Sequence, residues 1–238
     1  MDMFSGPQLA RDEVTGLGSA MAGGKGKLAK TRRRALDFYP TPPECTRALL
    51  IAERRAIVAH GATVWECCGR GGAVARVLAE FMLGSIATDL VADPDNDCAG
   101  ADVLAVREAL AAIVVTNPPF AIAARIIAHL LGQLGIAYLA LLLKTSFWST
   151  DTEGRGRIGL WRHFPPSRRW DLTWRPDFLE GEGRRKGRGS TMNVSWFIWD
   201  SKAPANDLPP GMVPFGLLSR TGPVAGPRPD LFSQGAEA

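Results

Sequence analysis

The feature that most restricts the fold is an abrupt one. Ala112-Ile113-Val114-Val115 is an apolar run, and Thr116-Asn117-Pro118-Pro119-Phe120 cuts it off. Such a run reads as a buried strand. Neither proline can donate to a sheet ladder, so the strand must end there. Ala121–Leu134 comes next, with apolar residues at helical spacing. The result is a strand, a stiff turn and a helix, with carbonyls in the turn that lack a sheet partner. In an open α/β sheet, ligands bind at the carboxyl ends of strands. An Asn side-chain oxygen, a Pro carbonyl and an aromatic face at that place form a clamp for a planar group bearing an NH2.

The same alternation runs through the middle of the chain. Asp37-Phe38-Tyr39-Pro40-Thr41-Pro42-Pro43 is extended, because each residue before a proline is pushed out of the helical region. Thr41 with Glu44 is a capping-box pattern with Pro42 at the first helical position, and predicts a helix from about Pro43 to Ala59. Thr63–Cys67 is a strand, Gly69-Arg70-Gly71-Gly72 a turn, and Val74, Val77, Leu78 and Phe81 mark an amphipathic helix. Ser85–Asp89 is a strand ending in an acid, and Gly100–Leu104 a short segment carrying another, with Asp102 expected at a strand end. Ile136–Leu143 is a buried strand, a short helix falls at about Gly156–Arg162, and Arg169–Trp174 and Val194–Trp199 are two late strands. This order predicts a doubly wound, Rossmann-like α/β sheet that ends in an antiparallel hairpin. Residues 1–36 are rich in Gly, Ala and basic residues and read as a tail. Residues 37–200 are the folded domain, and 201–238 a Pro- and Gly-rich irregular tail.

Several classes are disfavoured. Cys45, Cys67, Cys68 and Cys98 contain no C-x-x-C pair, and His60, His129 and His163 are scattered, so no metal site and reduced thiols are expected. The first residues are polar and Gly-rich, so no signal peptide is expected and the cytoplasm is the default. Ala121 to Leu143 is long and apolar enough to suggest a membrane span. Arg125, His129, Gln133, Gly132 and Gly135 interrupt it, so it reads as helix, turn and buried strand, with no membrane partner. A net charge of +4 permits a polyanionic partner.

The glycine turn alone is weak evidence for a ligand. Its weight comes from a series of polar strand ends. Glu66 ends one strand, Asp89 the next, Asp102 lies beyond, and the Asn-Pro-Pro-Phe turn completes the series. An acid in the position of Asp89 suits ribose hydroxyls, and a carboxylate at Asp102 can accept from an exocyclic amine.

In this order — Tyr-Pro-Thr-Pro, strand-Glu and glycine turn, strand-Asp, Gly-x-Asp-x-Leu, strand-Asn-Pro-Pro-Phe — the chain resembles the S-adenosylmethionine-dependent amino-methyltransferases. It is most similar to the DNA adenine-N6 methyltransferases, in particular their small phage and prophage forms. The resemblance covers about Asp37 to Asp200. It implies that Tyr39, Thr41 and Pro42 lie over the methionine part of S-adenosylmethionine. Glu66, Gly69 and Gly71 would line the pocket for its amino-acid end. Asp89 would hold the ribose hydroxyls and Asp102 the adenine amine, while Asn117, Pro118, Pro119 and Phe120 would hold the target base. The family has one more residue between its first-strand Glu and first Gly, where this chain runs Glu66-Cys67-Cys68-Gly69. Cys67 and Cys68 read as pocket-wall residues.

The resemblance implies double-stranded DNA as partner, with the target adenine flipped out of the helix. The basic loop Arg184, Arg185, Lys186 and Arg188 is the candidate phosphate clamp, extended by Lys144, Trp148, Arg168 and Arg169. The same clamp suits an adenine in RNA or a glutamine amide in protein, and a catalytically silent nucleic-acid-binding module of the same fold is the alternative from another class. Neither the recognition site nor a nuclease partner is legible in these residues.

Overall fold

In the computed structural model, the described residues are 40–98, 100–149, 158–178, 192–204, 208–209 and 211–224. The elements run α1 (Pro43–His60), β1 (Thr63–Glu66), α2 (Ala73–Glu80), β2 (Gly84–Ala87), β3 (Ile113–Thr116), α3 (Ala123–Gly132), β4 (Tyr138–Lys144), a 3-10 turn (Thr145–Trp148), α4 (Ile158–His163), β5 (Arg168–Leu172), β6 (Val194–Asp200), β7 (Phe215–Ser219) and β8 (Gly222–Pro223). The strands form a single mixed sheet in the order β2-β1-β3-β4-β6-β5-β7-β8. β2, β1, β3 and β4 are parallel neighbours, and β6 lies antiparallel between β4 and β5.

Period-two alternation in the strands divides the core into two layers. Val64, Ile113, Val115, Tyr138, Ala140, Leu142, Trp196 and Ile198 pack with α1 and α2 on one face. Trp65, Val114, Leu139, Leu141, Leu143, Phe197 and Trp199 pack with α3 and the 3-10 turn on the other. Helices thus cover both faces of the sheet, and the strands at its centre are buried on both sides, which is why β3 and β4 are apolar runs up to their last residues, Thr116 and Lys144, rather than alternating.

Two details differ from the sequence reading. Helix α1 has Pro42 at its N-cap, with φ −58° and ψ 128°, and no side chain caps it. The ring of Pro43 forces Pro42 to stay extended. The helix therefore starts one residue later than a Thr41 capping box requires, and Thr41 is buried.

The second concerns the segment read as an irregular tail. Residues 215–219 and 222–223 are strands: β7 pairs parallel with β5, and β8 pairs antiparallel with β7. Glycine density here reflects close approach rather than irregularity. A Cβ on Gly216 would fall 2.2 Å from the Trp170 ring, and one on Gly222, at φ +117°, would fall 2.6 Å from Ile51 of α1. Only hydrogen fits at either place, so these glycines let the added strands dock.

Candidate functional site

The chain leaves β1 toward β2 on one side, then returns to place β3 on the other. The strand order therefore reverses between β1 and β3, and a crevice opens at their carboxyl ends. A cavity of about 230 Å³ lies there. Its wall is built from Glu66, Cys67, Cys68 and Arg70 after β1, Asp89, Leu90 and Val91 after β2, and Ala101, Asp102 and Val103 from the long β2–β3 connection. Asn117 to Ile122 after β3, Ala73 of α2, Ile126 of α3, and Pro40 and Thr41 from the approach to α1 complete it.

The β1–α2 turn is fixed by backbone geometry. Gly71 and Gly72 both have positive φ, 74° and 55°, a conformation that costs glycine least. The Gly69 N–H donates to the Thr88 carbonyl at 2.8 Å, and the Thr88 N–H to the Glu66 carbonyl at 2.9 Å, which locks the ends of β1 and β2 together. Inside that turn, the Glu66 carboxylate accepts the Ala75 N–H of the α2 N-terminus at 2.9 Å. Burial pushes the Glu66 carboxyl up to about 8, against the opposing pull of the Ala75 and Val74 N–H groups.

The two aspartates are held differently. One Asp89 oxygen accepts the Val91 N–H at 2.9 Å and the other the Arg70 N–H at 3.3 Å, so the turn fixes the carboxylate while lone pairs remain for a ligand. Asp102 is exposed, and its carboxylate accepts the Leu104 N–H at 2.9 Å. It does not end a strand, as the sequence reading has it. It starts a turn, with the Ala105 N–H bonded to its carbonyl. Among the described residues of the connection between β2 and β3 no strand forms: it is rich in Asp (Asp89, Asp93, Asp95, Asp97 and Asp102), and an isolated bridge pairs Thr88 with Cys98.

On the opposite wall, Thr116 is fully buried at the end of β3, Pro118 is buried, and Asn117, Pro119 and Phe120 are half-buried. The Ile122 N–H donates to the Pro119 carbonyl at 3.2 Å, closing the turn into α3. The Lys144 ammonium, at the end of neighbouring β4, lies 5.4 Å over the Phe120 ring.

The cavity thus gathers Thr41, Glu66, Asp89, Asp102 and Asn117–Phe120. Pro42, Gly69 and Gly71 are not in its wall: Pro42 is buried at the start of α1, and the glycines shape the turn behind Glu66. Tyr39, Arg184, Arg185, Lys186 and Arg188 lie outside the described residues. Arg168 is not a surface contact; it is bound to Glu53 and Asp200. Sequence reasoning passed over Leu90 and Val91 as wall residues. Leu90 is 58% exposed, directly after the acid that follows β2, and an apolar residue at such a place was the available signal. Arg70 was hidden inside a motif read for its glycines.

Chemically, the wall combines carboxylate acceptors, an amide with a proline carbonyl, and apolar side chains. It suits a ligand with hydroxyl or amine donors on an apolar, planar body. No helix among the described residues is long and apolar enough to cross a membrane. No group of three or more His, Cys, Asp or Glu suited to a metal ion occurs among them.

No protein-family model matches the chain, and no curated protein does. Among solved structures, it is similar to a type I restriction-modification system methyltransferase subunit from Streptococcus thermophilus. That match has a TM-score of 0.45 and 12% identity, covering 68% of this chain and 44% of that one. The match therefore spans less than half of that subunit.

Proposed function

We propose that this chain transfers a methyl group from S-adenosylmethionine to the exocyclic N6 amine of an adenine flipped out of double-stranded DNA. One observation carries the reading: a single crevice at the strand-order reversal has Asp89 and Asp102 on one wall and Asn117–Phe120 on the other. The residues fit the cofactor. Asp89 offers fixed acceptors to a pair of ribose hydroxyls, and Asp102 an acceptor to the adenine amine. Leu90, Val91 and Val103 offer apolar contact to a ring, and Glu66 with Thr41 a polar end to an amino-acid group. When bound, S-adenosylmethionine supplies an electrophilic methyl on a sulfonium.

The chain's own residues do the rest. An aromatic amine is a poor nucleophile because its lone pair is delocalised into the ring. Accepting its two N–H groups at the Asn117 side-chain oxygen and the Pro118 carbonyl favours a pyramidal nitrogen with a free lone pair. The same acceptors stabilise the positive charge that develops there. Buried Pro118 keeps its carbonyl rigid, so alignment is set before the base arrives. Phe120, backed by Lys144, offers a ring face to the base.

The test is incubation with labelled S-adenosylmethionine and duplex DNA, then nucleoside analysis. The expected product is N6-methyladenine in DNA, lost in Asn117→Ala. Label found only in RNA or in protein would overturn the DNA assignment. Absence of cofactor binding by calorimetry would overturn the enzyme assignment in favour of a silent module.

A further inference from the structure

One row of side chains leads away from the crevice across the sheet. Thr116, which precedes Asn117, pairs with Leu141 of β4. Leu141 pairs with Phe197 of β6, Phe197 with Arg169 of β5, and Arg169 with Phe215 of β7. Residues paired across neighbouring strands face the same side. The row therefore lies on the face that carries α3, at the level where β3 ends. At its far end no helix among the described residues packs on this face. Phe215 is 66% exposed, with Leu217 and Val224 exposed beside it.

The open end of the row is built as a stack. The Trp148 ring lies 4.9 Å from that of Phe197. The Arg169 guanidinium lies 4.9 Å from the Trp148 ring centre and 5.6 Å from that of Phe215. Asp171 pairs with Arg169 at 2.8 Å and fixes its plane. At the near end, the Lys144 ammonium lies over Phe120. A ring with a cation over it thus stands at each end of the row, Phe120 with Lys144 at the crevice and Phe215 with Arg169 at the far end.

Resting on the nucleic-acid reading above, we propose that Phe215, backed by Arg169 and Trp148, is a stacking platform for an unpaired base of the substrate strand outside the target nucleotide. The chemistry favours this occupant over a purely apolar one. Nucleotides bring flat π-faces and negative charge together, and this surface offers an exposed ring on a guanidinium stack. The row also fixes the distance. Four strand spacings of roughly 4.8 Å put Phe215 about 19 Å from the crevice, on the order of five or six nucleotide steps of about 3.4 Å. A second copy of the chain is the competing occupant.

The test is fluorescence anisotropy with a labelled single-stranded DNA of about twelve nucleotides, within the usual site sizes for such surfaces, and with a labelled trinucleotide. Phe215→Ala is expected to weaken binding of the longer strand about tenfold and to leave the trinucleotide unchanged. Phe215→Trp is expected to restore binding, and Phe215→Leu, which keeps apolar area but loses the ring, is not. Wild-type affinity in Phe215→Ala or Phe215→Leu would overturn the platform. Self-association of the wild type that disappears in Phe215→Ala would overturn it in favour of a second copy. Calorimetry with S-adenosylmethionine separates this proposal from the one it rests on. Strand binding that needs Phe215, without cofactor binding, leaves the platform standing and removes the methyl-transfer reading. Methyl transfer unaffected by Phe215→Ala and Phe215→Leu does the reverse. No binding of either strand by the wild type removes both.

Discussion

Two polar clusters sit on this sheet and are built on opposite principles. The first is buried between α1 and the strands β4, β5 and β6. Glu53 accepts from the Tyr138 hydroxyl at 2.9 Å, the Trp170 indole at 2.6 Å, and Arg168 Nε at 2.8 Å. Asp200 accepts from His60 and Arg168, both at 2.9 Å. Side-chain donors cover Glu53 and, together with the Lys202 N–H, Asp200, and the cluster ties α1 to the strands beyond the parallel core. The second is the crevice, where backbone N–H groups hold the carboxylates, Val91 and Arg70 on Asp89 and Leu104 on Asp102, and both line open space. A satisfied buried cluster contributes rigidity and has nothing left to offer a ligand. A cluster positioned by backbone alone keeps lone pairs for one. Charge density does not separate the two; the source of the donors does.

Removing a member of each cluster should break different properties. The largest effect is expected from Glu53→Ala, which removes one of the two carboxylates holding Arg168 and leaves the Tyr138 and Trp170 donors without their acceptor in the interior. Loss of one partner from a buried ion pair costs about 3–5 kcal/mol, to be read by denaturant unfolding. Cofactor affinity measured on the folded fraction should not change, and a parallel loss of affinity would refute the division. Next is Asn117→Ala. Removing one fixed partner of a developing charge lowers rate by about 10²–10³-fold. Single-turnover methyl transfer should fall by that order while stability stays near wild type. Third is Asp89→Ala. Loss of hydrogen bonds to a charged acceptor, about 1.5–3 kcal/mol, should weaken S-adenosylmethionine binding roughly ten- to hundredfold in calorimetry. The unfolding midpoint should move little, and an unchanged affinity would remove Asp89 from the proposed cofactor site.

The smallest contrast is one of slope with pH. Burial pushes Asp200 up, but bonds from His60 and Arg168 more than reverse it and leave its carboxyl below the ordinary value of 3.8. Its stabilisation is present above that value and is lost as pH falls. Glu66 has the opposite sign. Raised from 4.5 to about 8, its contribution is fully present below 4.5 and is lost as pH rises toward 8. Melting temperatures of Glu66→Gln should therefore decline less than those of wild type between those values, and Asp200→Asn should flatten the acid side alone. Parallel profiles for wild type and Glu66→Gln would show that Glu66 carries no proton in the crevice.

Much of this was legible in the chain because local physics was strong. Prolines 118 and 119 ended β3 at a place no sheet context could move, and the apolar runs of β3 and β4 have no other low-energy home. The acids at or just past strand ends were identified one at a time from residue type and order. The errors arose where tertiary contact overrode composition. Arg168 looked like a surface cation and is held by Glu53 and Asp200, both distant in sequence. Gly216 and Gly222 looked like loop residues and are the contact points of β7 and β8 with Trp170 and Ile51.

By itself, then, the sequence determined the alternation of elements, the stop after Thr116, and the residue types at each strand end, because backbone sterics and hydrophobic periodicity act within a few residues. Only the tertiary structure decided which strand ends share a cavity. It also decided that Asp89 receives the Arg70 N–H from the turn after β1, and that Phe215 stands at the level of Thr116. Those facts depend on strand order and register across the sheet. No stretch of chain encodes them alone, since paired residues such as Thr116 and Leu141 or Arg169 and Phe215 lie tens of residues apart and are brought together by burial of the two apolar layers.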